Sequence, residues 1–369
     1  MSALAQVRSE VFGSLADGRV VRQYTLDNGR GLTLSAINLG GIVTSLRAPD
    51  RHGIAGNIVL GFASLVDYET RNPHFGTIVG RHANRIARGA FMLDGERVQV
   101  AVNDGEHSLH GGPLGFGKVW WDITEAPPTG EGDVAIDLRL VSAHGDQGYP
   151  GEMAVRVRYT LTPQDEWRID YEAQCDRATV VNLTHHDYFN LCGQGSVLAH
   201  RLTIGGGRYC PVDPGLIPEG IAPVEGTPFD FRSPMPIGSR IREGHAQLLR
   251  ARGYDHNWVL DGAEDGANVG ALRFAARLED PVSGRAMEVH TTEPGLQFYS
   301  GNFLDGTLLG ASGQALRQGD ALCLETQHFP DSPNHPDFPS TVLRPGDTWR
   351  STTVHRFGQC AAEAQQRTP

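Results

Sequence analysis

Alternation with a period of two residues is the feature that most constrains this chain. Val134, Ile136, Leu138 and Leu140 form one such series, and Val155, Val157, Tyr159 and Leu161 form a second. Trp167, Ile169 and Tyr171 follow after a turn at 163–165, and Val98, Val100 and Val102 alternate in the same way. Residues two apart on an extended chain share a face, so each series puts one face in a core. Short strands at close, turn-punctuated spacing predict an all-β chain, a large antiparallel β-sandwich. The 46 glycines and 22 prolines in 369 residues suit many turns better than a helical bundle. A helical pattern is weak and confined to one or two turns within 243–252. The Pro-rich stretch 211–238 carries Phe229, Phe231 and Met235, so it is expected to pack down rather than run as a free linker. No composition break divides the chain. The expectation is one domain over 1–358, followed by a polar tail, 359–369, with the composition of a disordered segment.

Charge and cysteine usage narrow the function classes. A net charge of −11 repels phosphate backbones, which argues against nucleic acid as a partner. The first fifteen residues lack the apolar core of a signal peptide, and no apolar run approaches membrane-spanning length. Cys175, Cys192, Cys210, Cys323 and Cys360 make an odd set without a C-x-x-C spacing, as expected of reduced thiols in the cytoplasm. Lys118 is the only lysine, so a Schiff-base mechanism has one candidate. Gly112–Lys118 imitates the start of a phosphate-binding P-loop, but Val119 replaces the Ser or Thr that would hold magnesium. A glycine-rich hairpin is the better reading.

Histidine carries the chemical information. Four polar segments hold it, two of them with glycine: Asn103–Gly112 with His107 and His110, Asn182–Gly193 with His185 and His186, Tyr254–Asn257, and Glu325–His335 with His328 and His335. The segment Gly80–Arg88 adds Arg81, His82, Asn84 and Arg85. Each residue taken singly reads best as packed or bonded to backbone. Together they allow two kinds of site. One histidine from each of two loops plus Glu325 could make a two-His, one-carboxylate metal site, although adjacent strand residues face opposite ways and His185 and His186 cannot share an ion. Alternatively, histidine and carboxylate exchange protons near neutral pH without a metal, the carboxylate raising the histidine pKa. The Asn, Gln, Asp and Arg side chains, with Tyr188 and Tyr299 nearby, suit a sugar: polar groups bond the hydroxyls and a ring covers the C–H face.

These segments resemble a known family. GRHANRIARGAF, HSLHGG, GFGKVWW, NLTHHDYFNL, YDHNWVL, EPGLQFYSGNFLDG and LETQHFPDSPNHPDFPSTVLRPGD look like those of the aldose 1-epimerase (galactose mutarotase) family, in the family's order, from about residue 25 to about residue 357. The resemblance implies the galactose mutarotase-like β-supersandwich, with Glu325 as general base, His186 as general acid and His110 in support. It further implies that Asn84, Arg85, Asp255 and Gln297 contact the sugar. It implies no metal, no cofactor and a small-molecule sugar partner, with the chain a monomer or homodimer. Asp187 departs from the pattern, because the family commonly has a small polar Ser there. A pentose, a disaccharide, a sugar phosphate or mere sugar binding on the same scaffold remain open at this stage. A phosphate would need cations at the rim, for which Arg81 and Arg88 are the nearest candidates.

Overall fold

A computed structural model describes residues 4–262 and 270–361. Nearly every strand pairing is antiparallel. The largest sheet has nine strands, in the order Asp122–Ala126, Val134–Ser142, Met153–Leu161, Glu166–Cys175, Trp349–Gln359, Arg285–Thr291, Arg273–Glu279, Arg201–Ile204 and Met235–Pro236. The alternating series of the sequence supply its inner face: Ile136, Leu138, Val157, Tyr159, Trp167 and Ile169 are all fully buried. A five-stranded meander over residues 6–57 shares this core through Leu26, Leu34 and Leu46.

The sheet that matters for function has five strands. Ala222–Pro223, Arg208–Cys210, Asp255–Val259, Gly295–Tyr299 and Cys323–Gln327 lie side by side. Its central strands are buried on both faces, so their sequences do not simply alternate apolar and polar. Leu296, Phe298 and Leu324 join the main core. On the opposite face Asn257, Gln297 and Glu325 stand in register across three strands, with Asp255, Tyr299 and Cys323 one pleat away.

The expected short helix is Ala246–Ala251, and a second, Leu65–Arg71, begins at Ser64, whose side chain caps the Asp67 amide. Phe229 and Phe231 are fully buried, so the Pro-rich stretch is packed down as expected. The Val98–Val102 series ends early: its strand is Glu96–Gln99, and Val102 is exposed. Gln359, expected to open the tail, instead closes the last strand opposite Arg285, and the Cys360 amide donates to the Gly284 carbonyl at 2.9 Å. The rest of the tail, from residue 362, lies outside the described residues. No helix among the described residues is long and apolar enough to cross a membrane.

Candidate active site

Glu325 sits at the middle of its strand and faces a cleft of about 180 Å³. His186 reaches the same cleft from the three-residue strand Thr184–His186, which pairs with Thr77–Val79. The His186 Nε2 stands 3.7 Å from Glu325 Oε1, close enough for both to bracket one pair of substrate oxygens. Glu325 Oε2 has no hydrogen-bond partner among the described residues. The His186 ring is held between neighbours rather than by one strong bond. Tyr188 stacks on it at 5.1 Å and His74 at 5.6 Å, His110 meets it edge-on at 5.1 Å, and the Cys323 sulfur lies 3.5 Å from Nδ1.

His110 enters from the turn after the Ser108–Leu109 strand. Its Nδ1 accepts from the Asn84 amide at 3.2 Å, and its own amide donates back to the Asn84 carbonyl at 3.0 Å. An accepting Nδ1 puts the proton of the neutral ring on Nε2, so His110 offers the cleft a donor. A metal-binding histidine has the reverse arrangement, with Nδ1–H donating and Nε2 free. His110, His186 and Glu325 do cluster within 4.8 Å of one another, but the tautomer set by Asn84 does not suit a metal ligand. Three residues lining the cleft adopt left-handed backbone: His74, Asn84 and His110 have φ of 73°, 59° and 52°. Non-glycine residues in that region carry strain, and here it aims side chains inward. Gly111 follows His110 for a steric reason, because a Cβ there would collide with the Gly80 carbonyl.

Burial sets the protonation states, and it overturns one expectation. From the sequence, a carboxylate neighbour is expected to raise the pKa of a site histidine. Instead burial, aided by His74, holds His186 well below the usual histidine range. Burial, reinforced by the Asp255 charge, lifts Glu325 well above the usual carboxylate range. Desolvation penalises both charged forms more than their mutual attraction repays at 3.7 Å. The cleft therefore favours a neutral pair, with the shared proton on Glu325.

Of the seven residues singled out in the sequence, Glu325, His186, His110, Asn84, Arg85 and Asp255 line this cleft. Gln297 stands one step behind, where its amide donates to Asp255 Oδ1 at 2.7 Å. Burial raises the Asp255 pKa above the ordinary value. Arg85 donates to Asp104 at 2.8 Å. Other candidate histidines lie elsewhere. His328 bonds Glu293 at 2.6 Å, His335 stacks on Phe338, and His82 is fully buried away from the cleft. Arg81 is no rim cation, since its guanidinium is buried against the carbonyls of Ser142, Ala143, Pro150 and Gly151. Sequence reasoning missed His74, which follows a proline outside any histidine-rich segment, and Phe303 at the mouth.

Arg85 and Phe303 also line a wider outer cleft of about 910 Å³. Its charged groups nearly balance: Arg85, Arg88, Arg97 and His107 against Asp104, Glu106 and Asp213.

The family description of aldose 1-epimerase matches residues 22–356. The chain is 44% identical to the galactose mutarotase of Sus scrofa over 358 residues, 96% of this chain and 99% of that one. It is 40% identical to the aldose 1-epimerase of Escherichia coli K12, over 92% of this chain and 96% of the other. The crystal structure of galactose 1-epimerase from Lactobacillus acidophilus superposes with a TM-score of 0.84 at 26% identity, covering 97% of this chain and all of that one. A family match over nearly the whole chain, relatives above 40% identity and this fold lead to one conclusion: the chain belongs to the aldose 1-epimerase family of isomerases.

Proposed function

We propose that the protein interconverts the α and β anomers of a free aldose, galactose or glucose, using Glu325 and His186 as its acid–base pair. The observation that carries this reading is the 3.7 Å approach of those two groups in a cleft lined by Asn84, Arg85, His110 and Asp255. A pyranose opens when a base takes the O1 proton, the C1–O5 bond breaks and an acid protonates O5. Glu325 as carboxylate and His186 as imidazolium perform that step, and it leaves them as carboxylic acid and neutral imidazole. That is the neutral state the cleft favours. Ring opening therefore starts from the ion-paired form, which the site must first reach from its favoured neutral form, and it ends in that favoured form. Rotation about C1–C2 presents the other carbonyl face. Closure returns the O5 proton to His186 and the Glu325 proton to O1. No net proton is gained or lost.

The remaining groups position the ring. His110 Nε2–H, Arg85 and Asp255 are directed at hydroxyls, Asn84 sets the His110 tautomer, and Gln297 holds Asp255 in place. Tyr299 and Phe303, stacked with centroids 6.2 Å apart, offer an aromatic surface at the mouth. The five unpaired thiols accord with a reducing, cytoplasmic setting. A second reading is favoured by the outer cleft, which could seat a further sugar residue attached away from C1. Its near-balanced charge favours a neutral disaccharide over a sugar phosphate.

Polarimetry tests the reading. Freshly dissolved α-D-galactose, α-D-glucose and α-lactose are followed in EDTA buffer with and without protein. The expected result is relaxation to the spontaneous end point at a rate proportional to enzyme. Relaxation at the uncatalysed rate for all three would contradict it.

A further inference from the structure

His185 and Asp187 flank His186, and they bond to each other on the face away from the cleft. His185 Nδ1 lies 2.6 Å from Asp187 Oδ2, and both side chains are buried to within a few per cent of completely. His185 Nε2 lies 2.7 Å from the Tyr159 phenol oxygen, whose hydroxyl donates to the Gly41 carbonyl at 2.9 Å. Tyr159 belongs to the nine-stranded sheet. Trp167 packs edge-on against the His185 ring at 5.2 Å and His355 stacks on Trp167; besides Tyr159 and His355, the titratable groups Tyr171, Cys323 and Glu325 also feel the Asp187 charge.

The geometry has two consequences. A bond between side chains i and i+2 closes a ring of atoms that includes the backbone of the residue between them. Here that residue is His186. In addition, the Tyr159 hydroxyl is committed to Gly41, so its oxygen is left to face His185 Nε2, while Asp187 Oδ2 meets Nδ1 on the other side of the ring. The arrangement is a buried histidine–carboxylate pair held at both ring nitrogens. Such a buried pair is a costly way to gain stability, because desolvation consumes most of the attraction, but it is geometrically exacting.

We propose that Asp187 and His185 are positioning residues for His186: their bond clips the backbone on either side of it, and Tyr159 fastens the clip to the large sheet, setting where Nε2 stands relative to Glu325. This rests on the acid–base assignment above. The field of the pair acts in the same sense. The His185 charge lowers the His186 pKa and the Asp187 charge raises that of Glu325, both favouring the proton on Glu325.

The test compares Asp187→Ala, Asp187→Asn and Tyr159→Phe with Leu202→Ala, a fully buried core residue at the far side of the nine-stranded sheet. All are assayed well below their unfolding temperatures. Misplacement of a catalytic group by an ångström is enough to cost a hundredfold, so Asp187→Ala is expected to lower kcat by about thirtyfold or more with KM within about threefold. Asp187→Asn, which keeps an acceptor for Nδ1–H, should recover most of that loss. Tyr159→Phe should fall between them, and Leu202→Ala should lose stability and keep kcat. A crystal structure of Asp187→Ala should show the His186–Glu325 separation changed from 3.7 Å. The proposal is overturned if Asp187→Ala keeps kcat within about threefold, or if Leu202→Ala lowers kcat equally. Should Asp187→Ala not fold, Tyr159→Phe decides by the same criterion of kcat lost at constant KM. An inactive wild type would instead refute the mutarotase reading, and the separation in the crystal would still report on the clip.

Discussion

Glu325→Gln should abolish mutarotation while leaving the protein folded and able to bind sugar. Glutamine keeps the shape of the side chain and removes its ability to take the O1 proton. General acid–base catalysis contributes roughly a hundredfold to ten-thousandfold, so a loss on the order of a thousandfold in kcat is expected. Folding should not suffer. Burial holds Glu325 well above its ordinary pKa, so above pH 4.5 the folded state must keep a proton that the unfolded chain releases. That costs stability at neutral pH, and the amide carries no such cost. The unfolding temperature at pH 7 should therefore be equal to or above that of the wild type. Calorimetric titration with galactose should show affinity within about fivefold, because the hydroxyl contacts from Arg85, Asp255 and His110 remain. Retention of more than a tenth of the activity would show that another group is the base.

The second large effect is on stability in acid. Burial lowers the pKa of His74, His200 and His355 to about 4, and of His82 and His256 to about 3. These groups are neutral in the folded state and take up protons in the unfolded chain below pH 6.5. Their contribution is therefore complete above pH 6.5 and is lost as pH falls toward 4 and 3. By pH 5 each costs about 2 kcal/mol, and a whole domain is stable by only about 5–15 kcal/mol. The unfolding temperature should drop by on the order of 10 °C between pH 7.5 and 5.5, above the range where carboxylates titrate. Scanning calorimetry across that interval checks this. A constant unfolding temperature down to pH 5 would mean that these histidines are hydrated or paired in the folded state. His82→Leu should flatten the slope, since burial is the main cause that holds the His82 pKa down to about 3.

The large sheet was legible because its strands turn their apolar residues to one face, and period-two alternation records that directly at 134–140, 155–161 and 167–171. The strands that carry the site are harder to read. Gly295–Tyr299 and Cys323–Gln327 are buried on both faces, one against the core and one toward the cleft, so a polar residue there looks like an exposed one. Glu325, His186 and His110 were found through their polar surroundings and the family resemblance. Spacing alone could not join Glu325 to His186 across 139 positions of chain. His74 was invisible because its role comes from a left-handed turn beside a proline and not from any local pattern. The protonation states could not be read either. A nearby carboxylate and deep burial push a histidine in opposite directions, and only the structure shows that burial prevails here. Asp187 was noticed as a departure from the family pattern. The strand geometry turns it from the cleft onto His185.

The pH dependence of kcat/KM tests the central claim, one proton shared between Glu325 and His186, most directly. The working pair carries a single proton. A second is added only in acid, because His186 is held below the usual histidine range, and the last is lost only in alkali, because Glu325 is held above the usual carboxylate range. The account predicts a plateau across neutral pH with a fall of slope one on each side. The acid limb should be fully restored on brief return to pH 7, which separates titration from unfolding. In residual activity, Glu325→Gln should lack the alkaline limb. A profile that is flat from pH 5 to 9 with chemistry rate-limiting, or an alkaline limb that survives Glu325→Gln, would contradict the account.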